Sequence, residues 1–376
     1  MSDLVIEDLS LGEGKKLRVF TLSAEKSLNA LTQSMISSLG PALESAEKDP
    51  QILGYWLQGA GTKAFCAGGD IRYLYQAMVD GRQDLAQEFF RSEYSLDHQI
   101  HSLTKPLLCW GHGIVMGGGL GLFAGSRVRV VTEASKVAMP EITIGLFADV
   151  GASWFLNRMP PGVGLFLALT GHRMNATDLK DVGLANLFVP SEKRDALMSL
   201  FQDSLRRSHP WRLQSFLQEA SALTETSQVQ PVPTLRPHFD RLQALHNERD
   251  LLNLRSLILE LSQIETFKSS SENFAKGSPV SAAVSVEQLH RSRSMNLADC
   301  FRMEFHLAAR FAMGPDFREG VRALLIDKDL KPQWSVNQLE SLNPVSDNPT
   351  VQSYFIKVPG PDPLSHLQDT SKESRP

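Results

Sequence analysis

The amino-acid sequence of 376 residues predicts an α/β (α+β) fold with buried strands, followed by a mainly helical C-terminal region. In the first half, short apolar runs alternate with helix-like segments, which is the pattern of repeated strand–helix units. The second half shows helical periodicity instead. The chain is 42% hydrophobic and 21% charged, so it has the composition of a globular protein with ample material for a core.

The predicted strands of the first half are apolar runs of six to nine residues in order along the chain. They are LRVFTL (17–22), ILGYWLQG (52–59), KPLLCWGHG (105–113) and VRVVTE (128–133). Predicted helices alternate with them, at TQSMISSLGPALESAEKD (32–49), from Ile71 to about Met78, and at GGLGLFAGS (118–126). This order favours an α/β arrangement in which the strands are covered by helices.

The second half of the chain has a different character. From about Ser208 to His238 it is rich in Pro, Gln, Ser and Thr, which predicts an irregular connection. Helical periodicity returns in residues 240–265 and 285–313, and the polar end QDTSKESRP predicts a disordered tail. We therefore predict a core of residues 1–207, a mainly helical region of residues 208–365 that packs on it, and a tail of residues 366–376.

Composition and charge exclude several classes of partner. The net charge of −4 gives no reason to expect nucleic acid or an anionic membrane surface. The longest apolar run, residues 113–125, is too short and too rich in glycine to span a bilayer. Three cysteines and an acidic N-terminus without an apolar signal core predict a cytoplasmic protein. The sequence has no clustered His and Cys spacing, so we expect no metal.

Two glycine-rich stretches are candidates for ligand-binding loops. GAGTKAFCAGGDI (59–71) begins like a dinucleotide fingerprint but runs into a second turn instead of a helix, which disfavours a nicotinamide site. GHGIVMGGGLGLFAGS (111–126) enters a predicted helix through three glycines. Two such loops can each aim an N–H group at one carbonyl oxygen and form an oxyanion hole. Glycine turns and close helix–strand packing select the same residues, and both interpretations stay open here.

Two acids in VAMPEITIGLFADVGAS (137–153) are candidates for chemistry, because an ionised carboxylate in an apolar setting needs a partner. Taken alone, Glu141 is as well explained as a solvated residue beside a proline turn, and Asp149 as a helix N-cap. Two nearby nucleophile or base candidates have simpler interpretations: Cys66 as a small buried thiol and His112 as a packed histidine. The sequence has no G-x-S-x-G motif, which disfavours a serine hydrolase.

Taken together and in order, these motifs resemble those of a known family. F-C-A-G-G-D-I, then M-G-G-G, then M-P-E-x-x-I-G-L-F-x-D-V-G resembles the crotonase (enoyl-CoA hydratase/isomerase) superfamily, and most closely its 3-hydroxyisobutyryl-CoA hydrolase branch. The resemblance extends nearly end to end, through EKSLNAL (25–31), FLALTGHRMNATDLKDVGLANLFV (166–189) and DFREGVRALLIDKDLKPQW (316–334). It implies a spiral of strand–strand–helix (ββα) units. Because family members often form trimers or hexamers, it also leaves a homo-oligomer open.

The resemblance implies a role for particular residues. The thioester carbonyl of an acyl-CoA would bind the backbone N–H groups of Gly69 and Gly118. Glu141 falls where the family places a catalytic glutamate, and Asp149 where the hydrolase branch has an acid and typical hydratases have glycine. Glu93 matches a substrate-contacting acid of that branch. Residues implied to contact CoA are Ala67, Gly68, Asp70, Ile71 and, as a weaker candidate for the phosphates, Lys26.

A departure from the hydratases points to the reaction. Hydratases use a second glutamate two positions after the glycine triplet, and this chain has Gly121 there. The resemblance therefore implies hydrolysis of a short branched 3-hydroxyacyl-CoA, 3-hydroxyisobutyryl-CoA, as in valine catabolism. No separate cofactor is implied, because CoA enters with the substrate. The alternatives are an enoyl-CoA hydratase or isomerase, and a non-catalytic acyl-CoA-binding protein of the same fold.

The expected mechanism assigns the acids to different tasks. Glu141 would act as the base that activates water, or would attack the carbonyl directly to give a transient anhydride. Asp149 would hold the 3-hydroxyl of the substrate or the attacking water, and Glu93 would support that network. Acids gathered in one pocket repel each other, which is expected to raise at least one pKa toward the working pH.

Overall fold

The computed structural model describes residues 3–207, 210–224 and 230–368, and it confirms the predicted mixed α/β fold. The strands are β1 (Leu4–Gly12), β2 (Lys15–Leu22), β3 (Ile52–Gly59), β4 (Ala64–Cys66), β5 (Leu107–Gly111), β6 (Ile114–Met116), β7 (Val128–Val131), β8 (Lys136–Ala138) and β9 (Leu187–Phe188). The helices are α1 (Gln33–Lys48), α2 (Ile71–Val79), α3 (Gln83–Ser102), α4 (Gly118–Gly125), α5 (Ala152–Phe155), α6 (Val163–Thr170), α7 (Ala176–Asp181), α8 (Arg194–Arg207), α9 (Leu213–Ser221), α10 (Phe239–Leu242), α11 (Leu251–Leu261), α12 (Glu265–Lys276), α13 (Pro279–Arg291), α14 (Leu297–Met313), α15 (Pro315–Val321) and α16 (Pro349–Tyr354).

The strands form two sheets, and from β3 onward consecutive strands alternate between them. The larger sheet has the order β1-β2-β3-β5-β7-β9, with β1 antiparallel to β2 and the remaining pairs parallel. The smaller sheet has the order β4-β6-β8. The chain therefore places β3, β5 and β7 in one sheet and the strand that follows each of them in the other. This repetition is the predicted spiral of strand–strand–helix units.

By internal packing, the chain divides into two compact units that interleave along the sequence. Unit 1 comprises Met1–Gly69, Gln99–Val137 and Met174–Arg236, and unit 2 comprises Asp70–His98, Ala138–Arg173 and Pro237–Pro376. This division follows packing rather than chain order, so the predicted limits at residues 207 and 365 stay a prediction. Of the predicted tail, residues 369–376 lie outside the described residues.

The core of unit 1 packs aromatic side chains against the larger sheet. Trp56 on β3 stacks on Trp110 on β5 at a ring distance of 6.2 Å, and Phe201 on α8 lies 6.5 Å from Trp56. Phe216 on α9 packs edge-on against Phe201 at 5.3 Å. The predicted irregular connection is wrong for residues 213–221, which form α9. Only Phe216 and Ala220 of α9 are buried. The remaining residues are mostly polar, so the sequence shows no clear apolar periodicity there.

Unit 2 is mainly helical. The longest of its helices that the sequence analysis did not predict is α3, and the part of α3 up to His98 belongs to this unit. Two of its inward-facing residues are acids, Glu93 and Asp97, which are 2% and 0% exposed. Because carboxylates occupy positions where helical periodicity demands apolar side chains, the pattern did not reveal the helix. Strands β4, β6 and β8 were missed because three residues are too few to show an alternation.

None of the helices described by the structure is long and apolar enough to cross a membrane.

The aromatic core of unit 1 should account for much of its stability. We expect Phe201→Ala to lower the free energy of unfolding by about 3–5 kcal/mol, because a fully buried phenyl ring leaves a cavity on a rigid sheet. The matched control is Ile356→Ala, whose side chain is 59% exposed and should change stability by less than about 0.5 kcal/mol. Urea denaturation measures both, and similar losses for the two variants would contradict this account of the core.

Candidate active site

The two glycine-rich stretches come together within unit 1. Gly68 has a φ of +119°, and a Cβ placed there would lie 3.5 Å from the carbonyl oxygen of Met116. A Cβ on Gly119 would lie only 2.4 Å from the carbonyl oxygen of Cys66. Close packing therefore requires glycine at 119, and left-handed backbone favours it at 68. The packing interpretation and the ligand-loop interpretation hold together, since close approach of the two loops brings their backbones to one place.

The predicted oxyanion donors lie at the ends of these loops. Gly118 is buried and is the first residue of α4, so its N–H has no carbonyl partner within that helix. Gly69 is bridged to Leu31 in parallel fashion and is partly exposed. Both glycines lie at the ends of the apposed loops of unit 1, and their role as an oxyanion hole stays a prediction.

The EKSLNAL loop lies against the predicted CoA-binding segment. Leu31 N–H donates to the carbonyl of Gly68 at 2.8 Å, and Ala67 N–H donates to the carbonyl of Leu28 at 3.1 Å. The exposed Lys26 lies in this loop, on the short 3-10 turn Glu25–Ser27. The structure therefore brings the Lys26 loop together with Ala67 and Gly68.

Asn29 holds that loop in place and was missed by sequence reasoning. It is 1% exposed, has a φ of +57°, and its amide donates to the carbonyls of Ala60 and Ala64 at 2.9 Å each. Asp70 and Ile71 belong to unit 2, where the Asp70 side chain caps α2. An asparagine inside a family loop was the only available signal for the role of Asn29.

The alternative nucleophile and base have structural partners in unit 1. Cys66 is a fully buried thiol whose Sγ lies 3.6 Å from the carbonyl oxygen of Gly68. The ring nitrogens of His112 lie 3.4 Å and 3.1 Å from the carbonyl oxygens of Trp110 and Gly61, and burial lowers the pKa of this histidine. These contacts agree with a packed thiol and a packed histidine.

The three predicted acids all lie in unit 2 and are buried. Glu93 on α3 is 2% exposed, Glu141 at the start of the 3-10 turn Glu141–Ile144 is 5% exposed, and Asp149 is 4% exposed. Glu141 is therefore not a solvated turn residue. Asp149 is not a helix cap either, because the residue that caps α5 is Gly151. Both simple explanations of these acids are wrong.

Two further residues of α3 join the acids, and sequence reasoning missed both. The hydroxyl of Tyr94 donates to Oδ2 of Asp149 at 2.6 Å, and its ring packs against Phe90. Asp97 lies one turn after Glu93, and neither of its carboxylate oxygens has a hydrogen-bond partner among the described residues. The signal that could have found them is the spacing of acids and aromatics at one-turn intervals in FFRSEYSLD.

The pKa of Asp149 is set by a different balance of effects from the pKa values of the other acids in this cluster. Burial, reinforced by the negative charge of Asp149, raises the pKa of Glu93 and of Glu141 well above the ordinary value. Burial also raises the pKa of Asp97, and repulsion by Glu93 adds to the effect. For Asp149 the hydrogen bond from Tyr94 opposes burial, and the pKa rises only to about 6. Of these four acids, Asp149 is therefore the one whose ionised form is favoured by a hydrogen bond from a neighbouring side chain.

A fifth carboxyl group that borders the site is Glu304 on α14, which is fully buried. Its oxygens accept the N–H groups of Gly151 and Ser153 at 2.7 Å and 2.8 Å. Burial raises the pKa of Glu304 to about 8, although these hydrogen bonds favour the charged form. The described residues contain no group of three or more His, Cys, Asp and Glu side chains arranged to hold a metal ion.

This combination of a two-sheet spiral, apposed glycine loops and a buried acid cluster agrees with one family. The pattern of the enoyl-CoA hydratase/isomerase family matches residues 17–355, which is most of the chain. The protein therefore belongs to the enoyl-CoA hydratase/isomerase family, and the predicted crotonase membership is confirmed.

The relatives narrow the comparison further. The Homo sapiens protein named 3-hydroxyisobutyryl-CoA hydrolase, mitochondrial, is 37% identical over 338 residues, which cover 86% of this chain and 83% of the relative. The Danio rerio protein of the same name is 40% identical over 333 residues, covering 87% and 85%. The crystal structure of an enoyl-CoA hydratase from Rhodobacter sphaeroides 2.4.1 superposes with a TM-score of 0.80 at 30% identity, covering 95% of this chain and 98% of that one.

The prediction of a cytoplasmic location is wrong by this comparison, because these curated relatives are named as mitochondrial proteins. The reason for the error is chemical. Few cysteines argue only against an oxidising compartment, and that observation does not distinguish one reducing compartment from another.

The hydrogen bond from Tyr94 should set the ionisation of Asp149. We expect Tyr94→Phe to raise the pKa of Asp149 above about 6, because a hydrogen bond to a charged group contributes about 1.5–3 kcal/mol, or roughly tenfold or more in the ionisation constant. Carboxyl-carbon NMR over pH measures it, with Asp149→Asn to assign the signal. Tyr354→Phe is the control, and an equal change in that variant would contradict the assignment.

The buried acids should make stability fall as pH rises. Between the ordinary carboxyl pKa and about 8, folded Glu304 keeps a proton that the unfolded chain has lost, so unfolding becomes more favourable with rising pH. We expect the free energy of unfolding to drop by a few kcal/mol from about pH 5 to about pH 8. Urea denaturation across this range tests it, and Glu304→Gln should flatten the upper part of the curve. A rise in stability over the same range would contradict the raised pKa values.

Proposed function

We propose that this protein is an acyl-CoA thioester hydrolase that converts 3-hydroxyisobutyryl-CoA and water to 3-hydroxyisobutyrate and CoA. The observation that carries the proposal is the buried carboxylate of Asp149, held by the Tyr94 hydroxyl, in the same acid cluster as Glu141. The names of the curated relatives support the proposal. Both relatives are named as hydrolases of this thioester, and their alignments cover more than four-fifths of this chain.

Position 121 supports hydrolysis over hydration. Hydratases that the chain resembles use a second glutamate there, whereas Gly121 lies in the first turn of α4, where its N–H donates to the carbonyl of Gly117. The acid that this chain has instead is Asp149. Hydration is the second candidate, because the structural neighbour from Rhodobacter sphaeroides is named an enoyl-CoA hydratase. A non-catalytic acyl-CoA-binding protein is the third.

The proposed reaction adds water to the thioester carbonyl. The N–H groups of Gly69 and Gly118 stabilise the negative charge that develops on oxygen, a role worth several kcal/mol in such sites. Glu141 takes a proton from water as the new C–O bond forms. The C–S bond then breaks, and the thiolate of CoA takes up a proton. Direct attack by Glu141, which gives an anhydride that water cleaves, leads to the same products.

Both routes require the ionised form of Glu141. Burial and the charge of Asp149 raise its pKa, so its carboxylate, once formed, is a strong base. A polar group of the substrate that donates a hydrogen bond to Asp149 would delocalise the negative charge of Asp149. Its repulsion of Glu141 would then weaken, and the pKa of Glu141 would fall. The 3-hydroxyl of the substrate is such a group. Substrate binding and activation of Glu141 are therefore linked in this proposal.

The supporting assignments complete the proposal. Glu93 assists Asp149 in holding the hydroxyl end of the acyl group, and the Lys26 loop with Ala67 and Gly68 serves CoA. Coenzyme A enters as part of the substrate, and the proposal needs no separate cofactor. Assembly as a homo-oligomer stays a prediction.

The test is thiol release from 3-hydroxyisobutyryl-CoA, with crotonyl-CoA measured in parallel. We expect free thiol from the first substrate, and Glu141→Gln and Asp149→Asn should each lower kcat by roughly 10²-fold or more, as loss of general base catalysis does. Glu88→Gln is the matched control, because Glu88 lies on α3 but is exposed and paired with Arg91. It should retain the wild-type rate.

Other outcomes decide between the candidates. Loss of enoyl absorbance from crotonyl-CoA without thiol release would favour hydration. Binding of CoA esters without turnover of either would favour a non-catalytic role. Wild-type rates in both Glu141→Gln and Asp149→Asn would show that these acids do not carry the reaction.

A further inference from the structure

The segment that follows Asp149 has an unusual backbone conformation. Val150 has a φ of +55° and Gly151 a φ of +88°, so two successive residues are left-handed. A β-branched residue such as valine adopts this conformation rarely. Strained conformations of this kind persist only where surrounding contacts hold them, and they cluster at functional sites.

Two buried side chains hold this segment in place by hydrogen bonds. The carboxyl group of Glu304 accepts the N–H of Gly151 at 2.7 Å through one oxygen and the N–H of Ser153 at 2.8 Å through the other. The amide of Gln288, on α13, donates to the carbonyl of Ala148 at 2.7 Å and to Oγ of Ser153 at 2.9 Å. The backbone is thus fixed immediately before and immediately after Asp149 and Val150.

Helix α14 contacts the donor of the Tyr94–Asp149 hydrogen bond and the backbone two residues after the acceptor. Phe301 packs against the ring of Tyr94 at 6.0 Å, and its ring also lies where a side chain on Gly151 would be, 3.1 Å from a Cβ placed there. Glu304 follows Phe301 by three residues, so both point from one face of the helix. One rigid element therefore orients the donor and the backbone that carries the acceptor.

We propose that Glu304 is a positioning residue for the reaction: its two oxygens hold the turn at Val150 so that the carboxylate of Asp149 meets the Tyr94 hydroxyl and the substrate. This inference rests on the proposed function, because it names a residue that acts through Asp149. Glutamine at 304 has the same size but only one acceptor oxygen, and its NH₂ group would face a second N–H donor. Aspartate keeps two acceptor oxygens on a shorter stem.

The test is a double-mutant cycle on thiol release from 3-hydroxyisobutyryl-CoA. We expect Glu304→Gln to lower kcat about 10-fold or more in the wild-type background, as misplacement of a catalytic group does. In the Asp149→Asn background the same change should lower kcat less than about twofold, because residues that act as a unit are not additive. Glu304→Asp should retain more activity than Glu304→Gln, and it replaces Glu304→Gln in the cycle if that variant does not fold.

The matched control is Asp178→Asn in unit 1. Asp178 is also fully buried, and its Oδ1 accepts the N–H groups of Thr234 and Leu235 at 2.6 Å and 2.9 Å. Its loss should destabilise the fold in the same way but leave kcat within about twofold, with equal effects in both backgrounds. Equal fold-losses for Glu304→Gln with and without Asp149, or greater activity in Glu304→Gln than in Glu304→Asp, would overturn the proposal.

A second measurement separates this inference from the proposed function. Amide hydrogen exchange of Gly151 and Ser153 in the ligand-free protein should become faster in Glu304→Gln while amides of the unit 1 sheet keep their protection. Unchanged exchange at these two amides would overturn the positioning role whatever the substrate is. If the wild type released no thiol but exchange became faster in the variant, the proposed function would be overturned. The role of Glu304 in holding the turn by hydrogen bonds would then still stand.

Discussion

The structure of this protein depends on one constraint: neighbouring carboxyl groups that are buried away from water can carry very little negative charge in total. The interior of unit 2 holds Glu93, Asp97, Glu141, Asp149 and Glu304, each at most 5% exposed. Burial opposes ionisation of every one of them, and ionisation of one raises the pKa of its neighbours. The hydrogen bond from Tyr94, together with a backbone hydrogen bond, opposes the effect of burial on Asp149 and limits the rise of its pKa to about 6. The cluster therefore combines carboxyl groups whose protonated form is favoured by burial with one, Asp149, whose ionised form is favoured by a hydrogen bond, and such a separation of pKa values is typical of sites of acid and base catalysis.

The rest of the fold keeps this costly arrangement in place. Strain at Val150, of a kind that costs on the order of 1–3 kcal/mol, is balanced by buried hydrogen bonds from α13 and α14. Unit 1 gains its stability elsewhere, from aromatic packing of Trp56, Trp110 and Phe201 on a parallel sheet. The glycine loops of unit 1 are packed backbone against backbone, as at Gly119, where a Cβ would lie 2.4 Å from the carbonyl oxygen of Cys66. Stability and chemistry are thus carried by different side chains.

Much of the fold and part of the site could be predicted from the sequence. ILGYWLQG matches β3 to the residue, because a buried strand bounded by turns is distinct, and the glycine triplet gave the start of α4. The order of the motifs gave the family. Helix α3 was missed because buried acids interrupt its apolar face, and with it Tyr94 and Asp97. Glu304 was out of reach for a different reason: its partner Gly151 lies 153 residues away, and no local pattern encodes such a contact.

That same separation has a consequence for biosynthesis. A ribosome completes the turn at Val150 long before it reaches Glu304, and 153 residues correspond to on the order of ten to thirty seconds of translation. During that interval the nascent chain contains Glu141 and Asp149 but lacks the helix that grips their loop. Because the strained turn lacks its full set of hydrogen bonds until both α13 and α14 have been made, the emerging protein passes through a period in which the acids are present but not yet fixed in place. Catalytic competence is therefore acquired late in synthesis, after the sheet of unit 1 has all of its strands.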